Sequence, residues 1–153
     1  MSTKPSDPSV AVEDVDTRYL ETLLGYNARR VSLAVIDVFM KRMAAYQLRP
    51  VDFSVASLIV HNPGITSRQL CSTLGILPPN LVGLINALVR RGLVRKRPHP
   101  TDGRASGLHA TAAGIALMDA AESAAIALEK DLAQRLSPAE RTTLLRLLKK
   151  VYL

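Results

Sequence analysis

Tryptophan is absent, and the aromatic residues together make up only 4% of the 153 residues. A core built from this chain must therefore be aliphatic, and a platform of stacked rings for single-stranded nucleic acid is not expected. The one cysteine, Cys71, rules out an internal disulfide and fits a reducing compartment. No apolar run approaches the length needed to cross a bilayer. Residues 1–17 carry Ser, Pro and Asp with no apolar block, so they do not read as a secretory leader. The expectation is a cytoplasmic protein with a flexible N-terminal arm over residues 1–17 and no membrane partner. Catalytic sets are equally scarce. His61, His99 and His109 are scattered without metal-ligand spacing, and Cys71 has no histidine near it in sequence. No phosphate-binding glycine loop or pair of carboxylates stands out. Neither enzyme activity, cofactor nor metal is expected.

Hydrophobic residues at 48% are sufficient for one compact core. The formal charge of +7 points to a polyanionic partner. That charge is concentrated: Arg90, Arg91, Arg95, Lys96, Arg97 and Arg104 stand against Asp102 alone in one short stretch.

Along residues 18–47, Leu20, Leu23, Leu24, Val31, Val35, Val38, Phe39, Met43 and Tyr46 keep helical spacing without an intervening proline. They predict one long helix whose apolar stripe needs a second subunit to cover it. Pro50 suits a first helical turn. It opens a short buried helix through Val60, closed by Asn62-Pro63-Gly64. Thr66 and Gln69 have capping-box spacing ahead of Leu70, Cys71 and Leu74, and Gly75 ends that helix. Pro78-Pro79 starts a further helix with Leu81, Leu84, Ile85 and Leu88 inward and Gly92 as its stop. Strands are expected over Leu93–Pro98 and about Ala105–Ala110, around the polar loop from His99 to Arg104. Thr111 caps an Ala-rich helix, and Ser137-Pro138-Ala139-Glu140 is a second capping box ahead of Leu144, Leu145, Leu148 and Val151.

Helix, tight turn, helix and basic hairpin define a winged helix-turn-helix: mainly α, with a small β-hairpin wing. Residues 48–110 form the double-stranded-DNA-reading region. Residues 18–47 supply a dimerisation helix and residues 111–153 two C-terminal helices, within a single integrated domain. A major groove about 12 Å wide admits one helix, and a hairpin beside it reaches the minor groove, whose potential attracts arginine. Pro79, Asn80, Val82, Gly83, Asn86 and Arg90 lie on or beside the outward face of the reading helix. Asn80 is placed for an adenine edge or a phosphate, the plainer alternative being support of the helix start. Val82 suits a thymine methyl, and Gly83 permits close backbone approach. Arg104 at the hairpin tip is assigned to the minor groove, with Asp102 orienting it. On the strand, Arg95 and Arg97 share one face and Lys96 the other; Arg97 is read as a phosphate contact. Ser67 and Arg68 sit at a helix start that favours phosphate. Cys71 reads as a small structural core residue rather than a redox sensor.

With those residues in place, the chain resembles the MarR family of bacterial transcription regulators from about Tyr19 to its C-terminus. The likeness lies in Pro63-Gly64-Ile65-Thr66, Gln69 to Ile76, Asn80-Leu81-Val82, Arg91-Gly92-Leu93-Val94, Asp102-Gly103-Arg104, Thr111-Ala112-Ala113-Gly114 and Leu136 to Arg141. The resemblance implies a homodimer joined by its terminal helices, a pseudo-palindromic operator, and repression relieved by a small aromatic or phenolic ligand. Tyr26 and Arg30, one turn apart, can offer such a ligand a hydroxyl and a cation, or can serve as an ordinary surface or dimer pair. Leu77, Val82, Gly83, Val89 and Gly103 depart from the family pattern. The rival reading is a protein-interaction module or antirepressor of the same fold.

Overall fold

The computed structural model describes residues 15–98 and 106–153. The backbone divides into two units, Met1–Ala34 and Val35–Leu153.

The long helix expected over residues 18–47 is interrupted. It consists of α1 (Arg18–Glu21), α2 (Leu24–Met43) and a 3₁₀ turn at Ala44–Tyr46. Local side chains stabilise the break. Thr22 Oγ1 donates to the Tyr19 carbonyl at 2.7 Å, and Asn27 Nδ2 donates to the carbonyls of Glu21 at 2.7 Å and Leu23 at 2.9 Å. Short polar side chains compete in this way with the helical ladder, which apolar periodicity alone does not register. At the other end Gln47 adopts a left-handed conformation with φ 53°.

In the second unit, α3 (Pro50–His61) carries proline in its first turn. Its buried residues Val55, Ala56 and Ile59 form the centre of the core. The capping box at Thr66 and Gln69 opens α4 (Ser67–Leu74), where Thr66 Oγ1 accepts from the Gln69 N–H at 3.3 Å. Gly75 ends α4 at φ 62°, where a Cβ would be strained. Next come α5 (Pro78–Arg90), α6 (Ala112–Leu132) and α7 (Pro138–Tyr152).

The hairpin strands are β2 (Val94–Pro98) and β3 (Ser106–Ala110), with Arg97 opposite Gly107. A further strand, β1 (Ile65–Thr66), pairs antiparallel with β3 and makes a sheet of order β1-β3-β2. Two residues are too few to show period-2 alternation, so this strand was not expected from the pattern. It ties the start of α4 to the base of the hairpin.

Around this sheet Leu70, Leu81, Ile85, Leu88, Leu108 and Met118 are buried at 0–2% exposure. The start of α6 is fixed by close backbone approach. Thr111 Oγ1 donates to the Gly92 carbonyl at 2.6 Å. A Cβ on Gly114 would lie 2.1 Å from the Leu93 carbonyl oxygen. Farther along, Glu122 receives Ser57 Oγ at 2.7 Å and meets His61 Nε2 at 2.9 Å, joining α6 to α3. By contrast α7 buries none of its residues, and Leu144, Leu145, Leu148 and Val151 are all exposed. Among the described residues no single helix is long and apolar enough to cross a membrane.

Candidate nucleic-acid interface

The surface in question is built on α5. Its inward residues Leu81, Ile85 and Leu88 are 1–2% exposed, so the helix cannot roll without exposing them. That fixes which face is left outward. Pro79, Asn80, Val82, Gly83 and Arg90 are all exposed there. A Cβ added to Gly83 would meet nothing within 4 Å, so packing does not demand glycine at this position.

The helix start has an unusual property. Leu77 stands in the cap position and makes no side-chain bond, and Pro78 and Pro79 follow it. Proline has no N–H to offer. The N–H groups of Asn80 and Leu81 both bond to the Leu77 carbonyl, at 3.0 and 3.2 Å. The main-chain donors that make many helix starts anion sites are therefore absent or already engaged, and any anion here must be held by side chains.

Asn86 differs from the outward position expected of it. It is half-buried, and its Oδ1 accepts from Lys96 Nζ at 3.2 Å. Because an ammonium only donates, the amide oxygen must turn toward the strand, leaving Nδ2 as a donor without a partner among the described residues. Lys96 thus ties β2 to α5. Arg95 and Arg97, on the other face of the strand, are exposed. Ser67 and Arg68 are exposed at the first positions of α4. Asp102 and Arg104 lie outside the described residues. In the other unit, Tyr26 is half-buried and Arg30 exposed, one turn apart on α2. Cys71 is half-buried against the core.

Arg91 is exposed, but its guanidinium is engaged. Its Nη1 donates to the Gln47 carbonyl at 2.9 Å and its Nη2 to the Tyr46 carbonyl at 2.8 Å, bracing the turn before α3. Those carbonyls are freed by the left-handed Gln47, which the sequence pattern did not reveal.

A further cation was missed by the sequence reading. Arg49 caps α3, a position where Ser, Thr, Asp or Asn is preferred. Asp52 compensates. Its carboxylate accepts from the Arg49 N–H at 3.1 Å, from Nε at 2.8 Å and from Nη2 at 3.1 Å. Burial pushes the Asp52 carboxyl up, but the Arg49 hydrogen bonds and the charges of Arg49 and Arg91 outweigh it and hold Asp52 below the usual carboxylate range. The spacing Arg49-Pro50-Val51-Asp52, an acid three residues past a cap, was the available signal. Arg49 also lines an open groove of ≈ 690 Å³ with Asn80 and Gly83 of α5. Among the described residues no group of three or more metal-ligating side chains occurs.

This architecture defines a winged helix-turn-helix protein. A family model described as the MarR family matches residues 46–105. A transcriptional regulatory protein for the hcr operon of Thauera aromatica is 31% identical over 130 residues, covering 84% of this chain and 78% of that protein. Among solved structures, the transcriptional repressor CouR bound to a 23-mer DNA duplex is 35% identical with a TM-score of 0.85, covering 91% of this chain and 99% of that one. CouR from Rhodococcus jostii RHA1 bound to p-coumaroyl-CoA is 26% identical with a TM-score of 0.79, covering 86% and 93%. The chain belongs to the MarR family of transcription regulators.

Proposed function

We propose that the chain is a sequence-specific double-stranded-DNA-binding repressor that acts as a homodimer and is released by a small aromatic effector. The observation that carries this reading is the outward face of α5, held by a buried inner stripe and flanked by exposed arginines on β2. In this account α5 enters the major groove. Asn80, Val82 and Asn86 meet base edges there, and Gly83 lets the backbone approach. Ser67, Arg68, Arg90 and Arg97 contact phosphates, and Asp102 and Arg104 act from the wing in the minor groove. The Nδ2 of Asn86, a donor without a partner among the described residues, suits an acceptor on the base edge.

Dimerisation is supported by the uncovered leucines of α7 and by Ile36 and Met40 of α2, all exposed in the single chain. Residues 18–47 and 111–153 form the dimerisation helices around a DNA-reading region at 48–110, with 1–17 as an N-terminal arm. A role on the chromosome places the protein in the cytoplasm and requires neither catalysis nor cofactor. The effector assignment is supported by the CouR relative bound to p-coumaroyl-CoA. Tyr26 and Arg30 are our candidates for its phenolic and anionic groups.

Selection of duplexes from a random pool tests the reading. A two-fold symmetric consensus bound by two copies, and released by an aromatic acyl thioester, is expected. A pool without consensus contradicts sequence-specific binding and favours the protein-interaction module.

A further inference from the structure

We propose, building on the DNA-binding reading above, that Arg49 is a phosphate clamp for the recognition helix, held in position by Asp52. Three independent features lead there. Arginine is a poor helix cap, and a residue that defies local preference needs another reason to stand where it does. Its guanidinium is held rather than free: Nε and Nη2 bond to Asp52 at 2.8 and 3.1 Å, while the Arg49 side chain remains 62% exposed and that of Asp52 only 12%. The planar fork therefore presents its remaining edge, with Nη1, in a fixed orientation. Arg49 is also the charged residue lining the groove that it shares with Asn80 and Gly83.

The start of α5 explains why a cation is needed there. In many helix-to-phosphate contacts the first N–H groups receive the anion. Here Pro78 and Pro79 have none, and Asn80 and Leu81 direct theirs to Leu77. A phosphate flanking the inserted helix would meet no main-chain donor. Arg49, which lines the same groove, supplies charge and hydrogen bonds from a side chain already held by Asp52, so little rotamer freedom is lost on binding. The occupant is a backbone phosphate of the duplex, and the contact carries no base preference of its own.

The test uses a labelled duplex recovered by the wild-type chain from a random-sequence pool, titrated at several salt concentrations. Arg49→Ser removes the charge and supplies a preferred helix cap, which offsets part of what Asp52 loses with its arginine partner, and thermal melting recorded beside binding shows that the variant is folded. It is expected to weaken binding by more than tenfold and to lower the slope of log affinity against log salt by about 1.8, one clamp being lost from each of two copies on the duplex, with the preferred sequence unchanged. Arg49→Lys keeps the charge and is expected to keep the wild-type slope, with weaker affinity. Wild-type affinity and slope in Arg49→Ser, or a slope lost equally in Arg49→Lys, would overturn the clamp while leaving DNA binding intact. A wild-type chain that recovers no duplex from the pool overturns both.

Discussion

Gly83 and Gly114 show how differently one residue type is used in this chain. At Gly114 a Cβ would collide with backbone, 2.1 Å from the Leu93 carbonyl oxygen; at Gly83 it would meet open space. Glycine inside a helix is a cost unless something else requires it. Gly83→Ala is therefore expected to stabilise the fold by about 0.5–1 kcal/mol while weakening duplex binding. A higher melting temperature with unchanged affinity would remove Gly83 from the interface. Asp52 gives a second prediction at this scale. Its carboxyl is held below the usual range in the folded chain. Its contribution is thus fully present above the unfolded-state value of about 3.9 and is lost as pH falls through the lower folded-state value. Asp52→Asn should flatten the acid limb of a stability-against-pH curve below about pH 4. An unchanged limb would mean that Asp52 does not anchor Arg49 in solution.

The elements whose ends are set by local chemistry were legible in the sequence. The boxes at Thr66/Gln69 and Ser137/Glu140 open α4 and α7, and Gly75 ends α4 with a left-handed turn. The inner stripe of α5 was legible for the same reason, because Leu81, Ile85 and Leu88 repeat at helical spacing. What the pattern missed depends on contacts remote in sequence or on competing side chains. Breaking the first helix required Thr22 and Asn27 to take up carbonyls. The short β1 exists because Ile65 and Thr66 meet Leu108 and Gly107. Arg91 looked like part of a basic patch, and only the fold directs it to Tyr46 and Gln47. The junction of β2 and α6 offers a test at this scale. Gly114→Ala should destabilise the chain by about 1–3 kcal/mol, since backbone rather than a movable side chain must yield. A melting temperature equal to wild type would contradict that close approach.

For the whole molecule, the uncovered face of α7 matters most. A chain with Leu144, Leu145, Leu148 and Val151 exposed on one helix resembles half of an interface. Placing charge on that face by Leu145→Glu with Leu148→Glu is expected to convert a sedimenting dimer to a monomer and to weaken duplex binding by more than tenfold, since two linked reading helices bind with the benefit of effective concentration. A variant that still sediments as a dimer would move the interface elsewhere.

The most direct measurement is fluorescence anisotropy of the selected duplex titrated with wild-type protein across a range of potassium chloride concentrations, with stoichiometry determined at saturation. Two copies per duplex are expected, with log affinity falling linearly in log salt at a slope of about −5 or steeper if roughly six phosphates are neutralised. Binding that ignores salt, or no binding even at the lowest ionic strength, would contradict the account.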